Sequence, residues 1–143
     1  MEITIINRSQ EKRELLKAVA SLYAKILKIN NSKYSLTIGT ISGLAKADKM
    51  NGAVVLLGEN TLFMSLDSKL SVDQLIQTMA HEMVHVKQYA KGQLKVVYPK
   101  RGDPYFTWLG KRSKKNYFES PWELEAFSRE RILANKVVQI ISG

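Results

Sequence analysis

The sequence predicts an α+β fold, with residues 1–143 forming one domain. Three observations carry that expectation. Apolar residues recur every three or four positions near residues 9–27, 71–90 and 120–141, the period of amphipathic helices. Short β-prone runs at 2–6, 33–41, 53–57 and 61–66 lie before and between the first two of these. A chain of 143 residues, 45% hydrophobic and 24% charged, has the make-up of an ordinary globular protein with a substantial core.

The elements follow in order. Residues 2–6 are β-prone and short. Ser9 can cap a helix running to about residue 27, with Leu15, Leu16, Val19, Leu22, Tyr23, Ile26 and Leu27 on its apolar face. Asn30-Asn31-Ser32 ends it. Residues 33–41 alternate and read as a strand, and 42–52 read as a polar loop. Runs 53–57 and 61–66 flank Gly58-Glu59-Asn60, a hairpin signal.

The second helix has the clearest ends. Ser71 followed by Gln74 is a capping box, Asp73 suits the positive end of the dipole, and Gly92 stands where the helix stops. Val72, Leu75, Ile76, Met79, Met83, Val86 and Ala90 share one face. His81, His85 and Gln88 fall roughly opposite. Residues 94–98 suggest a further strand, and 99–119 an irregular excursion rich in lysine, arginine and aromatics. Within it, 105–109 and 116–118 can be arms of a hairpin around 110–115. Ser120-Pro121-Trp122-Glu123 opens a last helix reaching about residue 141, with Ser at the cap and Pro at the first position.

The chemistry concentrates in His81-Glu82-Met83-Val84-His85, which reads H-E-x-x-H inside the second helix. That spacing puts two imidazoles one turn apart on one face, able to bind one zinc ion, with Glu82 in reach of a water on it. The bland reading is a polar helix face. Against it, these are the only two histidines in the chain. There is no cysteine, so a third ligand must be a carboxylate. The candidates are Glu119, Glu123, Glu125 and Glu130. On the last helix Ala126, Phe127, Leu133, Ala134, Val137 and Ile141 mark an inward face. Glu123 and Glu130 share it, while Glu125 points away with Ser128 and Arg129. Glu123 is the preferred third ligand, although a capping box competes for it, and Glu125 is the reserve. Glu130 can orient a ligating imidazole from behind, or pair with Arg129 or Lys136.

The net charge of +9 suggests nucleic acid, an acidic protein or an anionic surface as partner, or a solvated basic surface with no specific partner. The basic segment 91–115, with aromatics interleaved, is the candidate for DNA or an acidic partner. Its plainer reading is a cleft-lining excursion whose aromatics pack and whose lysines are solvated. The N-terminus lacks a signal-peptide pattern and no apolar stretch is long enough to span a bilayer. A cytoplasmic protein with no membrane association is the expectation.

The H-E-x-x-H run followed by Glu123-Leu124-Glu125-Ala126 resembles the gluzincin-type zinc metallopeptidases, where the third ligand is a glutamate of E-x-x-A or E-x-x-x-D on a later helix. Phe127 stands where the second form has Asp. Trp108-Leu109-Gly110-Lys111 and the run 120–127 also resemble small phage and bacterial SprT-like metallopeptidases, and the likeness covers about residues 53–135. The resemblance implies a minimal zincin-like fold, a small twisted mixed β-sheet packed on an active-site helix and flanking helices. It implies a zinc endopeptidase acting on a protein or peptide, with one Zn2+ held by His81, His85 and Glu123 and a water activated by Glu82 as general base. It further implies an oxyanion donor, for which Tyr117 is the candidate with Tyr105 behind it. The run 61–66 would pair with an extended peptide if it is an edge strand near the zinc; the plainer reading is an interior strand with no free edge. The competing expectation is a basic nucleic-acid-associated binding protein with a structural or vestigial metal site. A third is an inactive scaffold whose termini block the cleft.

Overall fold

The computed structural model describes residues 1–44, 51–113 and 120–143. Tyr117, Glu119 and the expected hairpin arm 116–118 lie outside the described residues.

β1 (Glu2–Ile6) and β2 (Ser35–Ile41) are parallel and joined through α1 (Gln10–Ile26). A parallel pair needs such a crossover. The Ser9 hydroxyl accepts a hydrogen bond from the Lys12 backbone N–H, 3.2 Å away, as its position in the sequence implied. The helix ends with Lys28 at φ 60° and the Ile29 N–H donating to the Ala24 carbonyl at 2.9 Å, which turns the buried Ile29 back into the core.

β3 (Gly52–Leu56) and β4 (Thr61–Asp67) form the expected antiparallel hairpin. The sheet order β1-β2-β4-β3 decides between the two readings of the run 61–66. The run 61–66 is interior, bonded to β2 on one side and β3 on the other, and the edge strand is β3. Strand order depends on which distant strand docks next, which alternation within one run does not encode.

Leu36 and Ile38 of β2, with Leu62, Met64 and Leu66 of β4, all point to one face and are fully buried. That face packs on Leu16, Val19, Ala20 and Tyr23 of α1 and on α2 (Val72–Ala90). The Tyr23 hydroxyl donates to the Ile76 carbonyl at 2.8 Å and pins the two helices together. The α2 capping box is complete, Ser71 and Gln74 each bonding the other's backbone. From Met79 to Tyr89 nearly every α2 side chain is buried, polar ones included. Such a helix is covered on both sides rather than on one stripe. Val72, expected on the apolar face, is 56% exposed because it precedes the packed turns.

The second cover is a small antiparallel meander and the last helix. β5 (Leu94–Val97), β6 (Tyr105–Trp108) and β7 (Lys111–Arg112) turn at Leu109-Gly110, with φ of 51° and 85°, the signs a two-residue hairpin turn requires. A short strand pair thus occupies part of the stretch expected to be irregular. α3 (Pro121–Ser142) buries Trp122, Glu123, Ala126, Leu133, Ala134 and Val137. Phe127 and Ile141, expected inward, are half exposed, and every residue after Val137 is exposed because the helix outruns its support there. The architecture is α+β, with one mixed sheet, a small second sheet and three helices among the described residues. None of those helices is long and apolar enough to cross a membrane.

Candidate metal centre

The site forms where the middle of α2 meets the first three turns of α3. His81 and His85 lie one turn apart on α2, and both direct Nε2 at the same oxygen of Glu123. The distances to Glu123 Oε1 are 2.9 Å from His81 and 2.7 Å from His85. Ligand atoms of the three residues all lie within 4.8 Å of one another. They can hold a metal ion. Tetrahedral zinc, with bonds of about 2.0–2.1 Å, keeps its donors roughly 3.4 Å apart, so the contacts to Glu123 would lengthen by about half an ångström or more to admit it.

The outer ring nitrogens decide what the inner ones can do. His81 Nδ1 lies 3.0 Å from Glu130 Oε2, and His85 Nδ1 lies 2.8 Å from Gln88 Oε1. Both partners are acceptors, so both Nδ1 atoms carry hydrogen. In the neutral rings Nε2 is then a lone pair. Two lone pairs and one carboxylate oxygen converge on a single point. That arrangement demands either protons on the rings or a cation between them.

The electrostatics agree. Burial acts most strongly on both imidazoles and disfavours their charged forms. The hydrogen bond to Glu123 and the charges of Glu82 and Glu123, with Glu130 for His81 and Gln88 for His85, together outweigh it. Both rings hold a proton above the ordinary histidine range. Burial is also the main influence on Glu82 and raises its carboxyl, with Glu123 and Glu130 adding to it and the imidazoles opposing.

Glu123 brings its carboxylate to the two imidazoles, and the Ser120 side chain makes no capping bond. Glu125, the reserve ligand, does not join the cluster. It does not point away either. It binds Lys87 Nζ at 2.5 Å and Gln88 Nε2 at 2.8 Å, with Arg129 at 3.5 Å. Glu130 sits behind His81, one of the two roles its position allowed. Phe127 takes up the space beside it, its ring edge-on to that of His81 at 4.7 Å. Gln88 was legible only as a polar neighbour of the histidines. Its partner Trp122 lies 34 residues away and nothing local announces it.

A cavity of about 100 Å³ opens beside the ligand cluster. Glu82, His85 and Glu123 line one part, and Val54, Leu94, Phe106 and Trp122 line the rest. Two aromatics of the basic excursion lie against the last helix: the rings of Phe106 and Trp108 are tilted on Trp122 at 5.4 and 6.3 Å, with Phe106 still 40% exposed. Tyr105 instead carries the Arg112 guanidinium, 4.1 Å above its ring.

β3 passes very close to Glu82, and a glycine makes that possible. A Cβ at Gly52 would meet Thr78 Cγ2 at 2.9 Å, the Ser65 carbonyl at 3.1 Å and Glu82 Cγ at 3.2 Å. Gly52→Ala is expected to push β3 off α2 and cost ~1–3 kcal/mol, the usual scale of overpacking. Adding Thr78→Ala removes the tightest contact and should recover part of that loss. Chemical denaturation of both variants measures it; an unchanged midpoint for Gly52→Ala would contradict the close approach.

The chain matches no protein-family model, no curated protein and no solved structure. The functional reading therefore stands on the geometry and chemistry of these residues.

Proposed function

We propose that the protein is a zinc-dependent metallopeptidase of zincin-like build, with His81, His85 and Glu123 as ligands and Glu82 as general base. One observation carries the reading: two imidazole Nε2 atoms and a carboxylate oxygen converge on one point, with Glu82 in the adjoining cavity. Three N/O ligands without thiolate, open on one side, suit catalytic rather than structural zinc. A structural site has no use for a buried carboxylate that is not a ligand.

When bound, the ion would supply a Lewis acid that acidifies water and polarises an amide carbonyl. The chain's own residues do the rest. Glu82 takes the water's proton as the oxygen–carbon bond forms, then returns it to the departing amine nitrogen as the carbon–nitrogen bond breaks. Glu130 and Gln88 hold the two rings in place. The outer edge of β3, unpaired by any strand among the described residues, offers backbone groups to an extended peptide, and Ala53 and Val54 of that strand line the same cavity. The apolar wall of Leu94, Phe106 and Trp122 would receive a side chain of that peptide.

The test is cleavage of a mixed peptide library by zinc-loaded protein, read by mass spectrometry. The expected result is internal cleavage that stops on chelation and returns with zinc. A zinc-loaded protein that cleaves nothing in the library would contradict the proposal.

A further inference from the structure

We propose that Gln88 is a positioning residue that locks His85 in the tautomer able to hold a metal ion, and that α3 sets this lock. The inference rests on reading His81, His85 and Glu123 as the ligand set.

The Gln88 side chain is fully buried. Its two ends are chemically distinct: the NH2 group only donates and the carbonyl oxygen only accepts. Nε2 lies 2.9 Å from the Trp122 carbonyl and 2.8 Å from Glu125 Oε1. Both are acceptors, so the nitrogen faces α3 and the oxygen faces His85. That oxygen takes the hydrogen of His85 Nδ1 at 2.8 Å. A neutral imidazole has one N–H, so Nε2 is left as the lone pair, 2.7 Å from Glu123 Oε1. Turning the amide over would set its oxygen against two acceptors and forfeit both bonds in a dry site. Lys87, itself only 5% exposed, holds Glu125 in place as an ion pair.

The first five residues of α3 therefore do two jobs. Glu123 is a ligand, while Trp122 and Glu125 fix the hydrogen position of another ligand through Gln88. Docking of that turn assembles both at once. The two rings are also braced differently, His81 by the carboxylate of Glu130 and His85 by a neutral amide. Glu82, Glu123 and Glu130 already bring three carboxylates to the site. An amide braces His85 without adding a fourth.

The test measures metal affinity by chelator competition, with the visible spectrum of cobalt-loaded protein as a second readout. Gln88→Leu keeps the bulk and loses the acceptor; it is expected to bind zinc ~10–100-fold more weakly, with an altered cobalt spectrum. Gln88→Glu alone sets two carboxylates against each other and should weaken binding as well. Combining it with Glu125→Gln gives the new carboxylate a donor in place of Glu125 while the Trp122 carbonyl still faces it, so affinity should recover in part over Gln88→Glu. Wild-type affinity and spectrum in Gln88→Leu would overturn the proposal. Should Gln88→Leu fail to fold, the combined variant decides: no recovery over Gln88→Glu overturns it. Failure of the wild-type protein to bind either metal would instead remove the ligand set, and this inference with it.

Discussion

Replacing Glu82 by glutamine is expected to lower peptide hydrolysis by about 10²- to 10⁴-fold while leaving the metal bound, the usual contribution of a general base. Glu82 is nearly buried and faces the cavity, but it is not among the converging ligand atoms. In the proposed mechanism its work is proton transfer. Burial holds its carboxyl above the ordinary carboxylate range, partly countered by the two imidazoles. That is the direction which makes a carboxylate a better base near neutrality. Glutamine keeps the shape and removes a buried charge, so the unfolding midpoint should stay level or rise. Cleavage rate, zinc content and midpoint are read on one preparation. A wild-type rate would show that another group takes the proton, and loss of zinc would show that Glu82 is a ligand.

Glu123 and Glu125 are two residues apart, and alanine at each should fail in a different way. Glu123→Ala removes the proposed third ligand and is expected to weaken zinc binding by at least about 100-fold, beyond the usual effect of losing an outer partner. Glu125→Ala leaves all three ligands and one of the two anchors of Gln88. Its metal loss should stay within ~10-fold. Its main effect is on stability, because the Lys87 side chain, 6% exposed, is left without its partner. Breaking this half-buried pair should cost roughly 1–3 kcal/mol. Zinc affinity and denaturant midpoints of the two variants check this crossed pattern; a larger metal loss in Glu125→Ala would reverse the assignment. In the wild type, protons compete for the same ring nitrogens. Both rings are shifted upward, so zinc affinity should begin to fall above pH 6.5, the unperturbed histidine value, as acid is added.

What the sequence disclosed depends on how far each interaction reaches along the chain. The α2 capping box and its H-E-x-x-H are local, spanning three or four residues, and both are in place. Glu123 and Glu130 are two turns apart on one helix, so periodicity alone put them on the same side, and both meet His81. Glu125 shows where periodicity fails: a long side chain off the inward face still reaches Lys87 and Gln88 on the neighbouring helix. Whether the run 61–66 is an edge or an interior strand is not legible in the run itself, because β2 docks beside β4 from more than twenty residues upstream. The role of Gly52 was hidden for the same reason, since a loop glycine and a glycine beneath a crossing helix look alike in one dimension.

The central claim is that one divalent ion is held between α2 and α3 by two imidazoles and a carboxylate. X-ray absorption at the zinc edge, on chelator-stripped protein titrated with zinc, tests it most directly. The account predicts one ion per chain, with the scattering signature of two imidazoles and light-atom bonds near ~2.0–2.1 Å. Zinc that binds without that imidazole signature, or does not bind in stoichiometric amount, would contradict it.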